Sequence, residues 1–333
     1  MSHNTTIGGA VFLSNASIKR YLALYSPSQI RTLSVTYQPY TLRAEVHRYT
    51  ATVAGWYNAN ADLEHNRLID NRLEFAISLR IIQQSLSSLP PTGPKQILDL
   101  GGGTGRYAVE LAKQGHSVTL VDISQTELEQ AIQHAQEAGV ALADITCADA
   151  RDIRGVPGVF RENYYDIVLC QGPLYHLLSL DERLHVLHSC MLATKRDGFV
   201  IAAFVTRYAH LRDLAQREPL RLSREAGYYA GYLASGEYTR NLRNVSHHTH
   251  REEVRALFGM CVGREGGAGM GLEVQRMVAC ESFLGGGLSA KLSGLDEEAF
   301  RPWLEVALEA AEDLDVGTAD HLLVVAKKVI EEV

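Results

Sequence analysis

An α/β fold, with a mostly parallel sheet covered by helices on both faces, is what this sequence predicts. Three observations carry that prediction. Short apolar runs alternate with helix-type segments between residues 97 and 204. The first run closes on Gly101 and the second on Asp122. Finally, a glycine-dense turn joins the first run to the first helix, the arrangement that brings backbone close to a ligand at the carboxyl end of a parallel strand.

The elements follow in order. Ile97–Leu100 is the first strand, and its helix runs from about Arg106 to Gln114, stopped by Gly115. Val118–Val121 is the second strand and ends in Asp122; Ser124 and Glu127 form a capping box that opens a helix reaching Gly139. A weaker third strand lies at Asp144–Cys147, followed by Ala148-Asp149-Ala150, and Tyr165–Cys170 is the fourth. Leu184, Leu187, Met191 and Leu192 give a helix face ended by Asp197-Gly198, and Phe199–Phe204 is a fully apolar fifth strand.

Before this core, residues 1–90 form a helical N-terminal cap region. Leu63, Leu68, Leu73, Phe75, Ala76, Leu79 and Ile82 recur at amphipathic spacing, and the breaker Leu89-Pro90-Pro91-Thr92-Gly93-Pro94 closes the region. Packing on the core is the plainer role for this layer; the alternative is a cap over a ligand, lined by Trp56 and Tyr57. The main domain spans 91–333, with an insertion at 209–249 after the fifth strand.

Composition narrows the function. A formal charge of −7 argues against an electrostatic nucleic-acid footprint, and no stretch is apolar enough for a membrane span. The five cysteines are odd in number and form no C-x-x-C pair, which fits buried thiols in a reducing compartment. No leader is apparent, so a cytoplasmic protein is expected.

The chemistry begins at Asp99-Leu100-Gly101-Gly102-Gly103-Thr104-Gly105-Arg106. A dinucleotide fingerprint started at Gly101 would need glycine where Arg106 stands, and a phosphate-binding P-loop would need a Gly-Lys-Ser/Thr triplet that does not follow. A nucleoside-type ligand without a pyrophosphate remains. This D-x-G-x-G-x-G stretch resembles motif I of the class I S-adenosylmethionine-dependent methyltransferases, and Asp122 and Asp149 fall at the next two strand ends. Gln171-Gly172-Pro173-Leu174-Tyr175-His176-Leu177 with Asp181-Glu182-Arg183, and later Thr206-Arg207-Tyr208, resemble segments of a microbial small-molecule subfamily. That subfamily's aromatic segment is replaced here by His247-His248-Thr249-His250.

The resemblance implies a Rossmann-like sheet of seven strands whose last two are antiparallel, here Leu272–Val278 and His321–Ala326. It implies S-adenosylmethionine as cofactor. Gly101, Gly102, Gly103 and Gly105 would admit the ligand, and Asp99 would face its ammonium directly or through water. Asp122 would take the ribose hydroxyls, while Asp149 and the Ala150 N–H would read adenine. Ile123 and Gln171 complete the expected cofactor set. The acceptor would be a small molecule, in this subfamily a specialised metabolite.

His176 is the candidate general base, with a hydrogen-bonded structural role as its alternative, and Tyr175 lies beside it. Tyr57, Tyr175, His176, Arg207, Tyr228 and Tyr232 are candidate substrate contacts. The Arg- and Tyr-rich part of the insertion, 209–244, reads as a mobile lid or as a helical hairpin with half-buried tyrosines. His247, His248 and His250 are spaced poorly for one ion, so no metal is expected; Thr249–Glu252 reads instead as a capping box. Glycine-rich 263–271 and 285–287 read as flexible connections. Rival readings are a methyltransferase acting on RNA or protein, and a protein that binds the cofactor without transferring methyl. The oligomeric state stays open between monomer and homodimer.

Overall fold

The computed structural model describes residues 53–61, 66, 69–240, 245–312 and 319–331. Leu63, Leu68 and everything before residue 53 lie outside these. Residues 53–61 are helical, and α1 (Arg72–Ser88) follows.

Strand β1 (Gln96–Leu100) sits inside a sheet with β2 (Ser117–Asp122) on one side and β4 (Tyr165–Cys170) on the other. β3 (Asp144–Cys147) pairs beyond β2, and β5 (Thr194–Val205) beyond β4, all parallel. Helices α2 (Arg106–Lys113), α3 (Gln125–Glu137) and α4 (Leu180–Ala193) make the connections. After β5 come α5 (Arg207–Arg217) and α6 (Ala226–Ser235), then a small ladder of β6 (Glu237–Tyr238) and β7 (Ser246–His247). The chain continues through α7 (Arg251–Met260), β8 (Val262–Glu265), β9 (Ala268–Ala279), α8 (Glu297–Ala310) and β10 (His321–Ile330).

The sheet order is β3-β2-β1-β4-β5-β10-β9-β8, with β10 antiparallel to both β5 and β9. Alternate residues feed opposite cores, as a strand's two-residue period demands. Leu98 and Val324 pack with Leu187, Met191 and Phe258 on one face; Ile97 and Val325 pack with Ile77, Leu111 and Phe300 on the other. Because α1 shares that second core, the Pro-rich breaker changes element without separating two hydrophobic cores.

Eight strands stand where seven were expected. The extra one, β8, forms a hairpin with β9 across Gly266 and Gly267, whose φ values are +57° and +94°. Two consecutive left-handed residues make the turn whose twist matches its flanking strands, and glycine supplies them without a Cβ penalty. The 263–271 stretch is therefore an ordered hairpin rather than a flexible connection.

Two caps refine the expected helix starts. Ser124 Oγ accepts from the Glu127 N–H at 3.2 Å, as read from the sequence. At α7 the cap is His250 with Glu253, whose Oε2 accepts from the His250 N–H at 3.0 Å, so the box lies one residue later than expected. On α8, Phe300 is buried, whereas Trp303 is 43% exposed. No helix among the described residues is long and apolar enough to cross a membrane.

Candidate active site

A cavity of about 320 Å³ opens at the carboxyl ends of the parallel strands. This is where an open α/β sheet places its ligands, because the crevice forms where the strand order reverses. One side is built by the residues that follow β1, β2, β3 and β4. The other side comes from residues far apart in the chain.

The glycine loop after β1 has no room for side chains. A Cβ on Gly101, whose φ is +74°, would lie 2.4 Å from Pro173 Cδ, and one on Gly102 would lie 2.5 Å from Asp99 Oδ2. Gly103 turns its N–H to Asp122 Oδ2 at 2.9 Å, while Ser124 N–H reaches Asp122 Oδ1 at 2.8 Å. The Asp122 carboxylate is thus oriented by backbone on both oxygens and still has lone pairs for a ligand's hydroxyls. Gly105 does not line the cavity; it packs against Ala131 of α3.

Asp99 is 1% exposed, and its Oδ2 has no hydrogen-bond partner. Burial, then repulsion from Asp122, pushes its carboxyl up to about 7, against the pull of a backbone hydrogen bond from Ala108. Gln171, also on the cavity wall, buries an Nε2 that lacks a partner. A buried orphan acceptor and a buried orphan donor are costly unless a ligand completes them. They fit a ligand with a cationic group and further polar atoms, as S-adenosylmethionine has.

Ile123, Asp149 and Ala150 also line the cavity. Asp149 is not a bare acceptor, however. Arg151 clasps both its oxygens, with Nη2 to Oδ2 at 2.6 Å and Nε to Oδ1 at 3.1 Å, and Arg151 also reaches Glu182 at 2.6 Å. Asp149 therefore holds its place through a side-chain chelate that the sequence reading did not include.

On the far side, Tyr57, Tyr175, His176 and Val245 face the same cavity. Asn58 anchors the helical segment carrying Tyr57, its Oδ1 accepting from Ser124 Oγ at 2.8 Å and Thr126 N–H at 3.2 Å. His176 Nδ1 lies 3.1 Å from the Val245 carbonyl, so that nitrogen carries the proton, and Nε2 accepts from the Tyr57 hydroxyl at 2.7 Å. Tyr175 stacks obliquely on His176 with ring centres 4.7 Å apart. Trp56 packs edge-on against Tyr57 at 4.9 Å but is not part of the wall.

Glu74, Ser78, Cys280 and His321 complete this side, and none of them was singled out from sequence. His321 Nδ1 lies 2.6 Å from Glu281 Oε1 and 3.7 Å from Glu74 Oε2.

The structure does not bring Arg207, Tyr228 or Tyr232 to the cavity. Arg207 is 2% exposed and its guanidinium is spent inside the fold, on the Leu233 carbonyl at 2.8 Å and on Glu253 at 2.7 and 2.8 Å. Tyr232 is buried with its hydroxyl 2.7 Å from both the Arg207 carbonyl and His248 Nδ1. Tyr228 packs against Tyr229 and this small core of Leu214, Tyr229 and Tyr232. Apolar burial and internal hydrogen bonds thus occupy the aromatic faces that the sequence reading offered to substrate. His247, His248 and His250 are likewise absorbed into packing and capping; burial drives His248 down to about 3, so it is neutral. Residues 241–244 of the insertion lie outside the described residues.

Comparison with known proteins agrees with this geometry. Residues 97–198 match a family model described as a methyltransferase domain. A ubiquinone biosynthesis O-methyltransferase of Actinobacillus pleuropneumoniae is 25% identical over 165 residues, covering 50% of this chain and 65% of that protein. Its namesake in Bordetella pertussis is 27% identical over 169 residues, covering 50% and 62%. The matched segment thus spans less than two thirds of these relatives' length. Among solved structures, Haemonchus contortus phosphoethanolamine N-methyltransferase 1, in complex with phosphoethanolamine and S-adenosylhomocysteine, superposes with a TM-score of 0.54 at 16% identity, covering 85% of this chain and 49% of that one. Burkholderia thailandensis 1,6-didemethyltoxoflavin-N1-methyltransferase gives 0.50 at 14% identity, covering 89% and 92%. The structural likenesses speak for the fold, and the strand-end acids and glycine loop speak for the ligand. Together with the match of residues 97–198 to a methyltransferase domain, they fit a Rossmann-like fold with an S-adenosylmethionine site at its strand ends.

Proposed function

We propose that this protein transfers the methyl group of S-adenosylmethionine to a small-molecule acceptor held on the Tyr57–His176–His321 side of the cavity. The observation that carries the reading is the continuity of one cavity. The glycine loop, Asp99 and Asp122 border it on one side, and titratable groups suited to an acceptor border it on the other.

In this reading Asp122 accepts the ribose hydroxyls, Asp149 and Ala150 border adenine, and Asp99 and Gln171 meet the amino-acid end. When bound, the cofactor supplies a methyl group on cationic sulfur that needs alignment and dryness more than activation. The chain's own part is to align and enclose. The N-terminal cap region, 1–90, contributes Tyr57 and Glu74 to the acceptor wall. The 209–249 insertion contributes Val245, which fixes the His176 tautomer. His176 and Tyr57 orient each other, and Tyr175 closes the same corner. A small acceptor, with a specialised metabolite as the favoured class, is supported by the size of the cavity, about 320 Å³, and by relatives named for small-molecule methylation. The net charge of −7 weighs against RNA.

The test is transfer from methyl-labelled S-adenosylmethionine into fractionated cell extract. Label should appear in the small-molecule fraction and depend on the protein. Label confined to RNA or protein would overturn the acceptor class. Binding of S-adenosylhomocysteine without label in any fraction would favour a cofactor-binding role without transfer.

A further inference from the structure

The edge of the cavity read as the adenine end is built from two elements that are not neighbours in sequence. Ala148 and Asp149 follow β3 and lead into a 3-10 turn, Ala150–Gly155, while Ser179 and Glu182 come with the start of α4. Arg151 ties the two together. Its Nη1 donates to Glu182 Oε1 at 2.6 Å, and its carbonyl lies 2.9 Å from His185 Nε2.

The same guanidinium fixes how Asp149 can meet a ligand. Asp149 Oδ1 accepts from the Arg151 backbone N–H at 2.9 Å and from Nε at 3.1 Å. Oδ2 accepts from Nη2 at 2.6 Å, with Nε 3.2 Å away. A carboxylate oxygen offers two lone pairs, so Oδ1 is filled and Oδ2 keeps room for one further donor. A planar fork that grips both oxygens also stops the carboxylate from turning. With Glu182 on its other side, the guanidinium lies between two carboxylates, which leaves no net positive charge for an anionic ligand. What the three side chains present to the cavity is one oriented acceptor.

We infer that Arg151 is the positioning residue that makes the site select a 6-aminopurine nucleoside over its 6-oxo counterpart. The inference rests on the reading of Asp149 and Ala150 as the adenine edge. Adenine presents an N–H at its 6-position and pairs with the open lone pair of Asp149 Oδ2. Hypoxanthine presents a carbonyl oxygen there, and acceptor meets acceptor. The mispaired ligand loses a charge-assisted hydrogen bond and leaves both groups unsatisfied, which is the strong form of discrimination. A carboxylate free to rotate could turn aside and let water bridge to the 6-oxo group. The Arg151 fork denies it that freedom.

The experiment compares two calorimetric titrations at neutral pH, with S-adenosylhomocysteine and with S-inosylhomocysteine, its 6-oxo counterpart. The wild-type protein should prefer S-adenosylhomocysteine by about 100-fold, the worth of one charge-assisted hydrogen bond. R151Q should weaken S-adenosylhomocysteine about tenfold and leave S-inosylhomocysteine within about twofold. R151K, a point charge without the fork, should fall between wild type and R151Q. In D149N the amide oxygen should keep the Oδ1 position, where two donors meet it, and the amide nitrogen should take the Oδ2 position facing the base. Its preference for the 6-amino ligand should vanish. Equal weakening of both ligands in R151Q would overturn the proposal and leave Arg151 as a tie between two elements. So would a wild-type protein that binds both ligands alike, or D149N with the wild-type preference. Should melting curves show R151Q unfolded, R151K and D149N decide by the same ratio. Failure of S-adenosylhomocysteine to bind the wild-type protein would instead sink the underlying reading of the cavity.

Discussion

The two sides of the cavity are assembled in opposite ways. On the proposed cofactor side each lining residue follows its own strand within a few residues: Gly101 after β1, Asp122 at the end of β2, Asp149 after β3, Gln171 after β4. On the proposed acceptor side Tyr57, Glu74, His176, Val245 and His321 come from separate stretches of the chain. The first is a property of local sequence, fixed by strand, turn and helix. The second is a property of topology, and it can change without disturbing the first. That separation lets one fold keep its cofactor while the acceptor varies.

If the sides are separable, variants on one should leave the other intact. The largest effect is expected at Gly101. An alanine there combines a left-handed φ of +74° with a Cβ 2.4 Å from Pro173. G101A should weaken S-adenosylhomocysteine binding by about 100-fold or more, the strain and displacement together exceeding about 3 kcal/mol. Calorimetry alongside a melting curve checks this; unchanged affinity would mean that the loop does not approach the ligand.

Next is Asp122. D122A removes charged hydrogen bonds and should cost about 1.5–3 kcal/mol of binding, roughly 10- to 100-fold. A variant that binds unchanged would remove Asp122 from the ribose site.

Asp99 supplies a pH test. Its carboxyl is raised to about 7 in the folded protein, above its ordinary value of 3.8. The folded state therefore binds this proton more tightly than the unfolded state. Its contribution to stability is full below about pH 4 and is lost as pH rises through about 7, at most about 1.4 kcal/mol per pH unit. Denaturant titrations of ligand-free wild type should fall relative to D99N across that window. S-adenosylmethionine binding should tighten with pH over the same range in wild type and not in D99N. A parallel pH response of the two proteins would contradict the assignment.

The smallest effect belongs to the acceptor side. Y57F deletes the hydroxyl that caps His176 Nε2 and should cost about 1 kcal/mol of that local interaction. Turnover with any accepted substrate should change several-fold while S-adenosylhomocysteine affinity stays. Equal losses in both would show that the sides are coupled.

Legibility follows the same division. The alternation of apolar runs and helices, and the acids that end them, placed the core strands and brought Asp99, Asp122 and Asp149 to one edge. Local pattern was enough because strand, turn and helix each act over a few residues. Arg207, Tyr228 and Tyr232 were misplaced because composition cannot tell a tyrosine facing a ligand from one packed around its own small core. Asp149 was read as an acceptor without its Arg151 clasp, although the two lie only two residues apart. His321 and Glu281 were missed for a topological reason. An acid and a histidine flanking the final antiparallel pair look like ordinary strand ends. The reversed direction of β10 starts it, with His321, at the ligand edge, where β9 ends just before Glu281. Likewise the Gly266-Gly267 pair between apolar strand segments carried a hairpin signal that its glycine-rich surroundings obscured.

The most direct measurement of the account is a calorimetric titration of S-adenosylhomocysteine into the wild-type protein. Single-site binding in the micromolar range, with a proton released below about pH 7 as Asp99 ionises, is the predicted result. A folded protein that shows no binding at millimolar ligand would contradict the central claim that the strand-end cavity holds this cofactor.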